Sequence, residues 1–159
     1  MKNSKNAFTM VELVFVIVIL GILAAVAVPK MAATRDDANI AKGRSDIASI
    51  RSAIVTERQS RLIKGDSKFI NQLHSSTTSL FDGNGTTATD AKLLMYGIEA
   101  KNTDGHWHDT PTHISSIADK NIWTYVFKVL GADNTFTYKQ EFGTFDCNST
   151  APSCEQLTK

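Results

Sequence analysis

The segment GHWHDTPTH holds side chains that are able to bind a transition metal. Its candidate ligands are His106, His108, Asp109 and His113. A metal site needs a full set of ligands and a second shell that orients them, and the sequence alone supports neither. Ordinary loop histidines, with Trp107 packing the loop onto the rest of the fold, are the favoured interpretation. The sequence therefore predicts no metal and no cofactor.

Three carboxylates are candidates for calcium, the cation that prefers oxygen ligands. They are Asp82, Asp90 and Asp104. They do not form a dense acidic loop, so calcium binding is the weaker interpretation. No nucleophile elbow, glycine-rich phosphate loop or zinc-protease helix occurs in the sequence, which predicts a protein that is not an enzyme.

The two cysteines, Cys147 and Cys154, have six residues between them. This spacing differs from the zinc and redox motifs, which place two residues between paired cysteines. In an oxidising compartment the pair would form a disulfide worth about 2–3 kcal/mol by loop entropy. Two free thiols are the alternative, and the choice depends on export.

The charges do not indicate a nucleic-acid partner. Seventeen basic and sixteen acidic residues give a net charge of +1, and no stretch concentrates one sign. Four cations, Arg51, Arg58, Arg61 and Lys64, lie where they would touch DNA if the protein served DNA uptake. Helix-surface arginines are more often solvated or paired with neighbours such as Glu57, so nucleic-acid binding stays open.

A long apolar segment near the N-terminus predicts a membrane helix. Residues 13–28 read LVFVIVILGILAAVAV, and extending the segment back to Phe8 adds Glu12 as its one charge. The extended segment would rise about 32 Å as a helix, which is enough to cross a hydrocarbon core of about 30 Å. A buried core helix is disfavoured, because the rest of the chain lacks a second element apolar enough to surround it.

The residues before this segment resemble a leader that ends before the apolar run. The string MKNSKNA is short, hydrophilic and cationic, and its lysines favour a cytoplasmic N-terminus. An ordinary secretory signal would instead be cut after the run, behind Ala24, Ala25 or Ala27. The cations Lys30 and Arg35 on the other flank weaken the charge asymmetry, so orientation depends partly on family resemblance.

The string AFTMVEL, followed by FVIVILGILAAVAVP, resembles the class III signal of type IV pilins and type II secretion pseudopilins. That pattern has a small residue before the cut, Phe after it, Glu four positions on, an internal Gly and a Pro. Phe8, Glu12, Gly21 and Pro29 match it, and Ala7 stands where the family usually has Gly. The resemblance covers roughly residues 5–35.

The resemblance implies a processing and assembly route. A prepilin peptidase would cut between Ala7 and Phe8 and methylate the new amine of Phe8. The subunit would sit in the inner membrane with a cytoplasmic N-terminus and a periplasmic head. An assembly platform and an ATPase would then extract it into a filament with further copies and other pilins.

Two interpretations remain open for Glu12, and two for Gly21 and Pro29. A carboxylate in a membrane helix costs roughly 2.5–3.5 kcal/mol near the centre and requires a partner. Glu12 pairs either with its own α-amine or with the Phe8 amine of an adjacent subunit. In one interpretation, Gly21 allows close packing of helices in the membrane and Pro29 kinks the helix. In the other, residues 21–29 partly unwind inside the filament.

Beyond Pro29 the pattern becomes one-sided. Ile40, Ile47, Ile50 and Ile54 recur at helical spacing, which predicts an amphipathic helix over residues 30–63 with Gly43 as a soft point and Gly65 as a cap. The head, residues 64–159, is rich in strand and loop patterns. We predict a helical turn near residues 69–73 and strands over residues 93–98, 121–130 and 135–142, the last two joined through residues 131–134.

The predicted fold is α+β and pilin-like, with a long N-terminal helix packed on an antiparallel sheet of three or four strands. Its parts are a cleaved leader, residues 1–7; a helix, residues 8–63, whose first part, residues 8–29, spans the membrane; and the head. The predicted function is a structural subunit of a pilus-like filament or of a type II secretion or DNA-uptake pseudopilus. The alternative is a monomeric, signal-anchored periplasmic protein that binds a ligand through its head.

Overall fold

A computed structural model of the chain describes residues 8–83, 92–114, 121–148 and 153–159. The chain divides into two compact units, Met1–Asp37 and Ala38–Lys159. Helix α1, Met10–Ile63, contributes residues to both units. The predicted leader, residues 1–7, lies outside the described residues.

The second unit begins with the amphipathic part of α1. Ile47, Ile50 and Ile54 are buried, as their helical spacing predicts. The helix ends in a Schellman arrangement: the Asp66 amide donates to the Arg61 carbonyl at 2.9 Å, and the Gly65 amide donates to the Leu62 carbonyl at 3.1 Å. Gly65 has φ +86°, which a residue without a Cβ adopts at little cost.

Among the described residues, seven strands and a second helix follow α1. They are β1 Ser79–Leu80, β2 Ile98–Glu99, β3 His106–Trp107, β4 Thr112–Ile114, β5 Ile122–Val129, β6 Ala132–Lys139, β7 Thr144–Cys147 and α2 Cys154–Thr158. Strands β1 and β2 form a small antiparallel pair. The other five form an antiparallel sheet in the order β3-β5-β6-β7, with β4 also paired to β5.

The core lies between the amphipathic part of α1 and one face of this sheet. Buried side chains alternate along β5 and β6, so that Tyr125, Phe127, Phe136 and Tyr138 share the inner face with Trp107 of β3. They form one cluster with the isoleucines of α1. The α+β, pilin-like arrangement predicted from the sequence is therefore confirmed, although the sheet has five strands among the described residues instead of three or four.

The β5–β6 turn is tighter than the predicted four-residue connection. Val129 pairs with Ala132, so the loop consists of Leu130 and Gly131. Both have positive φ, +55° and +71°, as in the two-residue turns that match strand twist. The loop-like Asn134 is instead a buried strand residue whose Nδ2 donates to the Ala132 carbonyl at 3.2 Å.

The predicted helical turn at residues 69–73 is wrong. This stretch is irregular, and its peptide groups bond to side chains of the sheet instead of to one another. Tyr138 donates to the Ile70 carbonyl at 2.6 Å, and the Leu73 amide donates to the Tyr125 hydroxyl at 3.1 Å. The spacing of Ile70 and Leu73 reflects their burial under these contacts, not a helix.

The predicted strand over residues 93–98 is largely wrong as well. Only Ile98 of this stretch belongs to a strand. The Leu93 and Leu94 amides bond to the carbonyls of Asp82 and Phe81, and both leucines pack on the core, so their side chains do not alternate as in a strand.

Gly43 is a close-packing position, not the soft point expected from propensity. A Cβ at this buried site would lie 2.6 Å from Phe127 Cε1 and 2.8 Å from Leu157 Cδ2. The absence of a side chain lets β5 and α2 approach the helix together.

We predict that Gly43→Ala destabilises the head by up to about 2 kcal/mol. The added methyl overpacks the core at a cost of about 1–3 kcal/mol, and the better helix propensity of alanine offsets about 1 kcal/mol of that cost. Denaturant unfolding of the full chain in detergent micelles measures this. Ser49→Ala, at an exposed position of the same helix, is the control and should leave the midpoint nearly unchanged. A Gly43→Ala variant as stable as the parent would contradict the close packing.

Candidate functional site: the N-terminal helix

The first part of α1 is apolar on every side, and none of its large side chains is buried. All large apolar residues from Phe8 to Val28 are exposed, and the least exposed of them, Ile19, keeps 41 % of its surface accessible. Successive residues turn by about 100° around a helix, so this surface has no polar face. An 18-residue window of α1 is long and apolar enough to cross a membrane, and none of it is buried.

Glu12 lies in the first turn of this helix and completes a capping box with Thr9. The Thr9 amide and the Thr9 hydroxyl each donate to Glu12 Oε2 at 2.8 Å. The Glu12 amide donates to Thr9 Oγ1 at 3.2 Å. Thr9 is therefore the N-cap, and the two side chains each accept one amide group that the helix start leaves free: Glu12 accepts that of Thr9, and Thr9 accepts that of Glu12. The Thr-x-x-Glu spacing was visible in the sequence, but our interpretation of Glu12 overlooked it.

Gly21 and Pro29 both lie within α1, which continues through them. A Cβ at Gly21 would meet no atom within 4 Å. Pro29 lacks the amide proton that would bond to the Ala25 carbonyl, so the helix has one fewer hydrogen bond there. The suggestion that this stretch unwinds in a filament remains a hypothesis.

Comparison with known proteins identifies this segment. A family model described as the prokaryotic N-terminal methylation motif matches residues 2–28. The N-terminal segment is a prepilin motif. The predicted resemblance to type IV pilins and type II secretion pseudopilins is thereby confirmed.

The relatives that this chain matches include a type IV pilus component and type II secretion components. This chain is 40 % identical over 75 residues to the type IV narrow pilus major component PilA5 of Thermus thermophilus. The aligned residues make up 46 % of this chain and 65 % of PilA5. The chain is 42 % identical over 53 residues to the type II secretion system core protein G of Klebsiella michiganensis, and 38 % identical over 53 residues to that of Pseudomonas aeruginosa.

The matches to the two core proteins G each cover 33 % of this chain and 37 % of the relative. The chain thus spans less than two thirds of each of the three relatives. No solved structure matches the chain.

Outside the prepilin motif, the predicted disulfide is present. Cys147 of β7 is bonded to Cys154 of α2, with the two Cα atoms 5.9 Å apart. The bond holds α2 against α1, where Leu157 is buried beside Gly43 and Arg44 Nε donates to the Gln156 carbonyl at 2.6 Å. The disulfide therefore ties the C-terminus to the core.

The histidines considered as metal ligands lie beside different polar groups. His106 Nδ1 lies 3.2 Å from Thr103 Oγ1, His108 Nε2 lies 3.3 Å from Asp133 Oδ1, and His113 Nε2 lies 2.8 Å from Asn121 Oδ1. In the described part of the chain, no group of three or more metal-binding side chains, Asp109 included, comes together. Trp107, as expected, anchors the loop: it is buried, and its Nε1 donates to Asp46 Oδ2 at 3.2 Å.

The calcium candidates stabilise loops. Asp82 accepts hydrogen bonds from the amide and the hydroxyl of Ser75, and Asp104 accepts one from the Gly131 amide. Asp90 lies outside the described residues. The two described carboxylates therefore have structural roles in loops at different places in the chain.

The arginines considered for DNA contact bind other parts of the head. Arg51 donates to the Phe145 carbonyl at 3.0 Å, Arg58 lies 4.0 Å above the Phe69 ring, and Arg61 lies 2.6 Å from Glu57. In the described part of the chain, no side-chain contact gives Lys64 a role. All three guanidinium groups therefore have contacts within the head.

We predict that replacing both cysteines by serine lowers the free energy of unfolding of the head by about 2–3 kcal/mol, because the small loop is no longer closed in the unfolded chain. Denaturant unfolding of the full chain measures the change. Adding a reductant to the parent should produce a similar loss, and equal stability with and without the disulfide would contradict its structural role.

Proposed function

We propose that the chain is a structural subunit of a type IV pilus-like filament or of a type II secretion or DNA-uptake pseudopilus. A prepilin peptidase removes residues 1–7 and methylates Phe8, and α1 then joins the subunit to other copies and to other pilins. The supporting observation is the uncovered apolar surface of residues 8–28 within a matched prepilin motif. The relatives include a pilus component and secretion components, so the proposal covers both filament classes.

The apolar surface has two successive environments in this proposal. In the inner membrane it contacts lipid, with the N-terminus in the cytoplasm and the head in the periplasm. An assembly platform and an ATPase then move it into a filament, where neighbouring helices replace the lipid. The Cys147–Cys154 disulfide is compatible with a head that folds in an oxidising compartment.

Glu12 is the proposed assembly residue. Cleavage would create a positive α-amine on Phe8, one helical turn from Glu12. The capping box uses Glu12 Oε2, and we propose that Oε1 meets the amine of an adjacent subunit. In an apolar filament centre, pairing with that amine would offset the cost of burying both charges and would set the axial position of each subunit.

The first prediction of this proposal concerns the N-terminus. Intact mass of protein purified from cells that contain its assembly machinery should correspond to a chain that begins at N-methylated Phe8. A monomeric signal-anchored protein would retain Met1 or begin beyond Ala24, and either result would contradict the proposal.

The second prediction separates the charge of Glu12 from its capping role. Glu12→Gln keeps a side chain that completes a capping box but removes the charge. We expect at least a tenfold loss of incorporation into filaments, by analogy with a broken buried ion pair. Sheared filaments and membrane fractions, quantified by immunoblot, measure incorporation.

Thr9→Val is the matched variant, because it breaks the capping box and leaves the carboxylate. It should reduce incorporation much less than Glu12→Gln, while both variants reach normal membrane levels. Normal incorporation of Glu12→Gln together with a loss in Thr9→Val would contradict the proposal and would show that assembly requires capping instead of charge pairing.

A further inference from the structure

A short segment of the head is held on the sheet by side chains instead of by a strand ladder. This crossing segment, residues 69–74, bonds to β5 and β6 through tyrosines. Tyr138 donates to the Ile70 carbonyl at 2.6 Å, and Tyr125 contacts both the Leu73 amide, at 3.1 Å, and His74 Nδ1, at 2.9 Å. Both tyrosines are buried, and burial raises the pKa of each above its usual value, so both hydroxyls stay protonated.

The direction of each hydrogen bond follows from the donors available. The Leu73 amide has a single proton and donates it to the Tyr125 oxygen. The Tyr125 proton is then free for His74 Nδ1, and a bond in that direction gives the proton of each donor in this group an acceptor. His74 is therefore neutral in this arrangement and carries its proton on Nε2.

We infer that His74 and Tyr125 form an acid-sensitive latch that fastens the crossing segment to the sheet. A protonated His74 has a proton on both nitrogens and accepts no hydrogen bond. The Tyr125 oxygen would then face two donors, the Leu73 amide and Nδ1, while its own proton would lose its acceptor. Protonation thus replaces a satisfied pair with a conflict in a buried site.

The surroundings of His74 favour the neutral form. His74 is 7 % exposed. The groups that face it are the Tyr125 hydroxyl and the uncharged Trp123 ring of β5, 4.8 Å away in an edge arrangement, together with the Asp82 carboxylate in the loop after β1. Burial lowers the pKa of His74 from its usual value of 6.5, and the attraction of Asp82 only partly opposes this.

The sign of the pH dependence follows from this shift. Because the pKa is lower in the folded state than in the unfolded state, the latch contributes fully above pH 6.5, the usual histidine value. Its contribution is lost as the pH falls from there through the folded-state pKa. The latch is therefore closed at neutral pH and opens in acid.

Opening of the latch would also weaken contacts between the crossing segment and the loop after β1. The Leu73 carbonyl accepts the Gly83 amide at 3.3 Å, and Ser75 binds the Asp82 carboxylate through its amide and hydroxyl. Phe81 lies between these contacts with φ +62°, a backbone conformation that residues other than glycine rarely adopt unless neighbouring contacts hold them there. Releasing the crossing segment removes part of that support.

Nuclear magnetic resonance of the full chain in detergent micelles tests the latch. Imidazole nitrogen shifts at pH 8 should show His74 as the Nε2–H tautomer. Exchange of the Leu73 amide with deuterium, corrected for its intrinsic pH dependence, should rise about tenfold as His74 titrates. His74→Asn places an oxygen near the position of Nδ1 and does not titrate, so its Leu73 exchange should stay constant.

His113→Asn is the matched control, because His113 contacts the same Trp123 ring but has Asn121 as its partner. It should behave as the parent does. A proton on Nδ1 at pH 8, an unchanged Leu73 amide through the titration, or an equal rise in His74→Asn would each overturn the inference. If His74→Asn does not fold, the tautomer and the titration of the parent still decide.

Discussion

The apolar surface of residues 8–28 is the constraint on which the rest of the protein depends. Each Val, Leu, Ile or Phe in it would gain roughly 1.5–3 kcal/mol by leaving water, and none of them is covered within the chain. In the proposed function, lipid covers this helix before assembly, and the helices of neighbouring subunits cover it afterwards. In the same proposal, the Glu12 carboxylate near the start of the helix fixes the axial position of the subunit, because a charge in an apolar medium has few favourable positions.

The head is stabilised by contacts of its own. The isoleucines of α1 pack on the aromatic face of the sheet, Gly43 lets α2 and β5 approach the helix, and the disulfide keeps α2 in place. Side chains also bond to the backbone, as Tyr138 does at Ile70 in an irregular stretch and Arg51 does at Phe145 of β7. A head that buries its core in this way can remain folded whether α1 is in lipid or among other helices.

The sequence predicted features that depend on local pattern. Hydropathy revealed the exposed apolar part of α1, helical spacing revealed the buried Ile47, Ile50 and Ile54, and alternation revealed most of β5 and β6. Features that depend on distant partners were missed. Ile70 and Leu73 looked helical because nothing in their own stretch shows that tyrosines some fifty residues or more away would bond to their backbone, and Gly43 looked weak because its neighbours come from β5 and α2. The capping box of Thr9 and Glu12 was predictable and was overlooked.

The central claim, that neighbouring copies cover the apolar helix, is tested most directly by distances between helices. Leu20→Cys places a free thiol on the exposed surface of α1, and a nitroxide label there reports neighbours by electron spin resonance. In filaments, packed helices lie about 8–10 Å apart, so labels on different copies should couple strongly, whereas copies diluted in lipid should show no coupling. Labels that remain uncoupled and accessible to water in assembled material would contradict the account.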